Sequence, residues 1–221
     1  MVIFQGSFKI FPMQAFILFR HGKISEEWRD KFYGRLDVPL SEEGIRESIE
    51  VVNSLFNLDG LVRVYASPLE RALFPARLLA ERKSLELIID PLLVEIDYGS
   101  WAGRRREEVM ADPLYWERLK NDSVRAPNGE SIRDIRERAR AFWEKVKGLE
   151  PKGINIVFTH GGFLRALFCE LLSLPSKHFF SIETLHLRAM LVLLFEDGNF
   201  LIRGLNVLAS EVGKIIAHSY W

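Results

Sequence analysis

The sequence predicts an α/β fold in which a mostly parallel sheet is covered by helices on both faces, with an antiparallel addition near the C-terminus. Two observations predict it. Short, continuous apolar runs, typical of strands buried on both faces, alternate with segments of helical spacing. Near the C-terminus, two further apolar runs flank Asp197-Gly198, a dipeptide typical of a β-hairpin turn.

The predicted parallel strands are the four apolar runs that lie between helical segments. They cover residues 15–19, 61–66, 85–89 and 154–158. The hairpin adds strands at 189–195 and 200–205. Because no repeat, low-complexity tract or Gly/Ser linker interrupts this alternation, we expect one domain over residues 13–210, with an extension at 1–12 and a tail at 211–221.

Serine residues mark the starts of three predicted helices. Ser41 and Ser131 each precede apolar residues at helical spacing. The segment Ser67-Pro68-Leu69-Glu70 has the pattern of a capping box with proline at the first helical position. A fourth helix is expected from Gly162 to Ser173. The alternation of strands and helices is therefore supported at the helix starts as well.

Composition limits the possible classes of function. The 30 basic residues balance 30 acidic ones, so the basic excess of a nucleic-acid binder is absent and no nucleic-acid partner is expected. No apolar run approaches the ~18 residues of a membrane span, and the N-terminal segment lacks a signal-peptide cleavage site. The single cysteine, Cys169, cannot form an intramolecular disulfide, which favours a reducing, cytoplasmic location.

Polar, chemically capable residues follow three of the four predicted parallel strands. The first strand ends in Arg20-His21-Gly22, the second ends in Ser67 and leads to Arg71, and the last ends in Thr159-His160-Gly161-Gly162. Ligand sites of such sheets collect at the carboxyl ends of the strands. We therefore expect two histidines and two arginines to meet at one edge of the sheet.

This set of side chains suits a phosphoryl group. Arginine holds phosphate oxygens through paired hydrogen bonds, and a neutral histidine has a ring nitrogen that can attack phosphorus. Gly161 and Gly162 let the backbone approach an anion closely, and a helix that begins there directs its N–H groups toward the anion.

The same residues resemble the signature of the histidine phosphatase (phosphoglycerate mutase-like) superfamily, in which Arg20-His21-Gly22 would be the signature tripeptide. Five further blocks occur in the family's order: 37–44 (DVPLSEEG), 65–72 (YASPLERA), 95–103 (EIDYGSWAG), 127–131 (PNGES) and 159–165 (THGGFLR). The resemblance spans residues 15 to about 172 and implies a three-layer α/β/α sandwich.

The resemblance also implies the role of each residue in the site. His21 would be the nucleophile that carries a transient phosphoryl group, while Arg20, Arg71 and His160 would hold the phosphoryl oxygens. Glu95 would protonate the leaving oxygen and later activate water. No metal or cofactor is expected, because the arginines supply the positive charge.

Several positions depart from the family pattern. Lys23, Ile24 and Glu27 stand where family members usually have Glu or Gln, Thr or Ser, and Asn, so we expect Lys23 and Glu27 to affect substrate binding. Arg104-Arg105-Arg106 follows the 95–103 block, and we expect one of these residues, Arg104 in the first instance, to contact a second anionic group of the substrate.

Pro75 is a departure of another kind. It lies inside the helix predicted after Ser67 and cannot donate a hydrogen bond to the carbonyl of Arg71, so we predict a kink or local distortion beside Arg71. His178, His186 and His218 have no partners that the sequence reveals, and we interpret them as structural.

Three functions fit these residues. The first is hydrolysis of small phosphomonoesters through a phosphohistidine, as in broad-specificity or α-ribazole phosphate phosphatases. The second is a cofactor-dependent phosphoglycerate mutase, which the short chain and the Gly-Gly after His160 disfavour. The third is a catalytically weak phosphate-binding regulatory domain. The expected partner is a small phosphorylated metabolite, with no membrane association and with a homodimer as a possible assembly.

Overall fold

A six-stranded mixed sheet forms the centre of the computed structural model, which describes residues 14–217. The strands are β1 (Gln14–Arg20), β2 (Leu61–Ala66), β3 (Leu87–Ile89), β4 (Ile154–Thr159), β5 (Ala189–Leu194) and β6 (Phe200–Val207). They lie in the order β3-β2-β4-β1-β5-β6. Strands β1 to β4 pair in parallel, whereas β5 and β6 pair antiparallel, which confirms the predicted mixed sheet.

Seven α-helices connect and cover the described strands. They are α1 (Glu42–Phe56), α2 (Glu70–Lys83), α3 (Arg106–Met110), α4 (Pro113–Lys120), α5 (Ile132–Val146), α6 (Gly161–Leu171) and α7 (Ala209–Ala217). Within the described residues, none of these helices has the length and apolar character that a membrane crossing needs.

The sheet has a separate apolar core on each face. Along β1, Phe16 and Leu18 pack into the cluster that contains residues of α5 and α6, whereas Ile17 and Phe19 pack into the cluster that contains residues of α1, α2 and α7. Successive strand residues face opposite sides of a sheet, so a strand buried on both faces needs an unbroken apolar run. The three-layer α/β/α arrangement is confirmed.

The helix starts agree with the sequence at two serines and differ at the third. Ser41 accepts a hydrogen bond from the Gly44 N–H at 3.0 Å, and Ser131 forms a capping box with Asp134. The capping box predicted at Ser67 is wrong, because α2 begins at Glu70 and its N-terminal cap, Leu69, has no side-chain cap. The Ser67 hydroxyl is instead hydrogen-bonded to a histidine of the site described below.

Helices α2 and α7 bear on what the sequence suggested at Pro75 and at residue 210. Helix α2 is continuous through the buried Pro75, which therefore does not end it. Helix α7 crosses the domain boundary expected at residue 210, and its Val212 is buried in the cluster that contains residues of α1. The expected extension at 1–12 and His218 lie outside the described residues.

Replacing Val212 by alanine is expected to lower the free energy of unfolding by about 2 kcal/mol, because it removes two buried carbon atoms and leaves a small cavity. Urea denaturation measures this change. The control is Ser210→Ala at an exposed position of the same helix, which should unfold like the parent protein. Equal stability of the two variants would show that burial of Val212 does not stabilise the fold.

Candidate active site

The register of β4 between β1 and β2 brings the predicted residues together. The His21 N–H donates to the Thr159 carbonyl at 2.9 Å, and the Ser67 N–H donates to the Phe158 carbonyl at 3.0 Å. His21, Ser67 and His160 therefore lie side by side at the carboxyl end of the sheet. The ring centroids of His21 and His160 are 5.2 Å apart, and both residues are fully buried.

His21 is held in one tautomer by the backbone carbonyl of the next residue. Its Nδ1 lies 2.7 Å from the Gly22 carbonyl oxygen, which can only accept, so Nδ1 carries the proton and donates it. The other nitrogen, Nε2, has no hydrogen-bond partner among the described residues. Burial lowers the pKa of His21 well below 6.5, and repulsion from a protonated His160 and from the charges of Arg71 and Arg20 lowers it further. At neutral pH the ring is uncharged, and its lone pair is on Nε2.

The Ser67 hydroxyl is the hydrogen-bond partner of His160. The hydroxyl oxygen accepts the Leu69 N–H at 3.3 Å and lies 2.7 Å from Nε2 of His160. This contact allows two tautomers of His160, and when the hydroxyl donates to Nε2 the ring proton is on Nδ1. Burial lowers the pKa of His160 well below 6.5, so this ring is also neutral. Nδ1 of His160 has no partner among the described residues, and in the tautomer in which Ser67 donates to Nε2 it carries an N–H.

Backbone carbonyls fix the two arginines beside these rings. Arg71 donates from Nη1 to Leu36 O at 2.7 Å and from Nη2 to Gly34 O at 2.6 Å. Arg20 donates from Nη1 to Thr184 O at 2.7 Å. Burial lowers the pKa of Arg71, yet a guanidinium stays protonated in proteins. Both Nε atoms lack partners among the described residues, so each arginine retains donor capacity.

Glu95 is positioned by two backbone N–H groups. Its Oε1 accepts from Ile96 at 2.8 Å, and its Oε2 accepts from Gly162 in the first turn of α6 at 3.1 Å. A Cβ at position 162 would lie 2.2 Å from Oε1. A side chain at position 162 would therefore displace this carboxylate. At Gly161 the restriction is weaker, since a Cβ would lie 3.0 Å from the Thr184 hydroxyl.

A cavity of about 360 Å³ opens beside these groups. Its walls combine site residues with aromatic rings and further cations. The lining residues are Arg20, Lys31, Phe32, Tyr33, Gly34, Glu95, Tyr98, Arg106, Tyr115, Gly161, Gly162, Arg165, Phe179 and Phe180. Of the predicted site residues, Arg20, Glu95 and Gly161 line this cavity. His21, His160 and Arg71 are buried next to it and are not part of its lining.

Three further residues predicted to bind substrate also lie outside the lining of this cavity, and each is satisfied elsewhere or exposed. Lys23 forms ion pairs with Glu43 and Glu47. Glu27 is exposed and accepts a hydrogen bond from the Ser25 hydroxyl, and Arg104 pairs with Glu108 at 3.5 Å.

Of the three consecutive arginines, only Arg106 lines the cavity. The backbone explains this placement. Phe32 and the 103–104 segment exchange hydrogen bonds, and α3 then begins at Arg106.

His186 is a site residue that sequence reasoning missed. Its Nδ1 donates to the His21 carbonyl oxygen at 2.9 Å, and the centroids of the two rings are 5.3 Å apart. Burial, reinforced by the charge of Arg20, lowers the pKa of His186 to about 4. No local motif surrounds this histidine, and its partner lies 165 positions away, so the sequence contains no signal for the contact.

No metal-binding cluster is formed in the part of the chain that the structure describes. A group of three or more His, Cys, Asp or Glu side chains able to hold an ion is absent from residues 14–217.

Comparison with known proteins gives consistent matches. The model of the histidine phosphatase superfamily (branch 1) matches residues 16–208. Phosphoserine phosphatase 1 of Hydrogenobacter thermophilus is 33% identical over 174 residues, covering 76% of this chain and 81% of that protein. A probable phosphoglycerate mutase, GpmB of Cronobacter sakazakii, is 29% identical over 162 residues, covering 72% of this chain and 75% of that protein.

Solved structures share the fold. The α-ribazole phosphatase of Shigella flexneri superimposes with a TM-score of 0.78 at 22% identity, covering 88% of this chain and 98% of that one. A mycobacterial glucosyl-3-phosphoglycerate phosphatase gives a TM-score of 0.78 at 22% identity, covering 88% and 99%.

Acidification from pH 7 to pH 5 is expected to destabilise the protein through its buried histidines. An unfolded histidine binds a proton near pH 6.5. Burial holds the pKa values of His21, His160 and His186 lower in the folded state, so the unfolded state binds more protons. Stability is therefore present above about pH 6.5 and is lost as the pH falls toward the folded pKa, about 4 for His186.

At pH 5, His186 alone accounts for a loss of about 1–2 kcal/mol in the free energy of unfolding relative to pH 7. Urea unfolding at both pH values measures the effect, with His186→Asn as the comparison. The asparagine amide can still donate to the His21 carbonyl but does not titrate. The variant should lose less stability than the parent on acidification, and equal losses would contradict the assignment.

Proposed function

The chain belongs to the histidine phosphatase superfamily (branch 1), and on that premise we propose that it hydrolyses phosphomonoesters by forming a phosphohistidine at His21. The observation that carries the proposal is the state of the His21 ring. The ring is neutral, its Nδ1 proton is donated to Gly22 O, and Nε2 has no partner among the described residues, while Arg71 and Arg20 are close enough to act on the ring electrostatically. This is the form of imidazole that can act as a nucleophile.

In the first step, the lone pair of His21 Nε2 attacks phosphorus and the bond from phosphorus to the ester oxygen breaks. Arg20, Arg71 and the Nδ1–H of His160 stabilise the charge on the non-bridging oxygens. Protonated Glu95 gives its proton to the leaving oxygen, so the alcohol departs neutral. The N–H groups in the first turn of α6, which has 11 residues, add a partial positive charge near the anion.

The second step reverses these roles. Glu95, now a carboxylate, accepts a proton from water as the water oxygen attacks phosphorus. The bond from phosphorus to His21 breaks, and the electron pair returns to Nε2. Inorganic phosphate leaves, and Glu95 is protonated again for the next cycle. The two backbone N–H groups that hold Glu95 keep the carboxyl in one place for both transfers.

The substrate that the cavity favours is a small phosphorylated metabolite, because about 360 Å³ suits a ligand of that size. Activity that is unchanged by EDTA would support the metal-free mechanism. The mutase alternative is tested by assaying 3-phosphoglycerate with and without 2,3-bisphosphoglycerate. A cytoplasmic location, the absence of nucleic-acid and membrane partners, and a homodimer remain predictions.

His21→Ala is expected to abolish turnover of an aryl phosphate, because no other unpartnered nucleophilic nitrogen with this geometry lies in the described site. Rapid acid-free quenching of the parent protein during turnover should reveal one added phosphoryl group on the His21 peptide by mass spectrometry. His178→Ala, at a partly exposed histidine in the turn Ser176–Ser181, is the control. Parent-like turnover in His21→Ala would exclude the mechanism.

Gly162→Ala is expected to lower kcat/KM about 100-fold for an alkyl phosphate, because the new Cβ would displace the Glu95 carboxyl and kcat/KM reports the steps up to departure of the alcohol. The loss should be much smaller for p-nitrophenyl phosphate, whose leaving group needs no proton. Gly148→Ala is the matched control, since a Cβ there contacts nothing within 4 Å. A uniform loss for both substrates would remove Glu95 from the role of general acid.

A further inference from the structure

Positive charge is concentrated at the cavity, although the chain as a whole is neutral. The 30 basic and 30 acidic residues balance overall. Among the residues that line the cavity, however, Arg20, Lys31, Arg106 and Arg165 are cationic and Glu95 alone is a carboxylate. Arg20 belongs to the phosphoryl site. Three cations therefore remain that the phosphoryl chemistry does not use.

None of these three cations is neutralised by a carboxylate of the described chain. Lys31 lies 4.8 Å from the Trp28 ring centroid, and Arg106 lies 5.4 Å from that of Phe32. Arg165 donates from Nε to Ile182 O at 2.8 Å. No ion pair within 4.0 Å involves any of the three among residues 14–217.

Neighbouring arginines in the sequence, in contrast, form ion pairs. Arg29 pairs with Glu26 at 3.0 Å, Arg104 with Glu108 at 3.5 Å, and Arg105 with Glu107 at 3.6 Å. These three exposed arginines find carboxylates, whereas Lys31, Arg165 and the equally exposed Arg106 do not. The contrast indicates that an external anion completes the charge balance there.

The aromatic walls of the cavity strengthen the positive electrostatic potential that these cations create. Phe32, Tyr98 and Tyr115 pack edge to face, with centroids 4.7 and 5.8 Å from Phe32. Behind Tyr98, at 5.6 Å from its ring, lies the guanidinium of the fully buried Arg118, whose three nitrogens have no hydrogen-bond partner among the described residues. Apolar walls with charges of one sign raise the potential felt by a bound anion.

The cavity offers little to a cationic group. Both oxygens of Glu95 already accept backbone hydrogen bonds, and the proposed chemistry needs that carboxyl for proton transfer. A substrate ammonium would either compete for Glu95 or lie among unneutralised cations. Like charges in such a site repel, and the repulsion disfavours a zwitterionic substrate relative to a purely anionic one.

We propose that Lys31, Arg106 and Arg165 form a subsite for a second anionic group of the substrate, and that the enzyme selects phosphorylated acids lacking an ammonium group. This inference rests on the proposed function, because it places the phosphate of the same molecule at His21. It sets the expected substrate apart from phosphoserine, which carries both a carboxylate and an ammonium.

Three compounds of similar size isolate the two charges. 3-Phosphoglycerate carries the second anion, glycerol 3-phosphate replaces it with a neutral hydroxymethyl group, and O-phosphoserine adds the ammonium. In the full-length enzyme, kcat/KM should be highest for 3-phosphoglycerate. The double variant Lys31→Met/Arg106→Gln should lower the ratio of 3-phosphoglycerate to glycerol 3-phosphate about 10- to 100-fold. Arg104→Gln, outside the cavity, should leave that ratio unchanged.

Binding to His21→Ala, measured by calorimetry, tests the subsite separately from turnover. The variant should bind 3-phosphoglycerate more tightly than O-phosphoserine, and adding Lys31→Met/Arg106→Gln should abolish the difference. Equal or tighter binding of O-phosphoserine would overturn the subsite while leaving the phosphohistidine mechanism intact. Parent-like turnover by His21→Ala would overturn that mechanism, and the binding preference would still decide the subsite.

Discussion

The parallel pairing of β4 with both β1 and β2 is the constraint on which the site depends. Two backbone hydrogen bonds, from His21 to Thr159 and from Ser67 to Phe158, align the ends of the three strands. The residues that follow each strand therefore lie next to one another at the same edge of the sheet. A slip of one residue would turn every side chain of a strand to the opposite face. Residues of all three strands pack into both cores of the sheet, and this packing fixes the register. The register in turn places His21 beside His160.

Much of this arrangement could be predicted from the sequence, because it follows from local patterns. Buried strands, most helix starts and the polar residues at the strand ends are all visible as runs or motifs, and the topology of parallel sheets brings the ends together. What the sequence could not reveal depends on contacts between distant segments. Ser67 matched a capping motif, but its hydroxyl is taken by His160, and His186 reaches His21 from the far end of the domain.

The same distinction explains the residues placed at the cavity. The family resemblance directed attention to Arg104, Arg105 and Arg106. Which of these adjacent arginines lines the cavity depends on the backbone hydrogen bonds to Phe32 and on where α3 begins. Lys23 was expected to meet substrate on its sequence position alone, but carboxylates of α1 pair with it first. Local spacing thus locates a segment, whereas competing partners decide where each charge lies.

Arg118 is a buried cation whose position near the cavity opposes folding. Its guanidinium is removed from water, rests against the Tyr98 ring and has no carboxylate within ion-pairing distance among the described residues. Such an arrangement opposes folding, since desolvation of a cation is only partly offset by an aromatic face. An uncharged, well-packed side chain there would favour the folded state but weaken the attraction for anions. Folding and ligand capture thus make opposite demands on this one position.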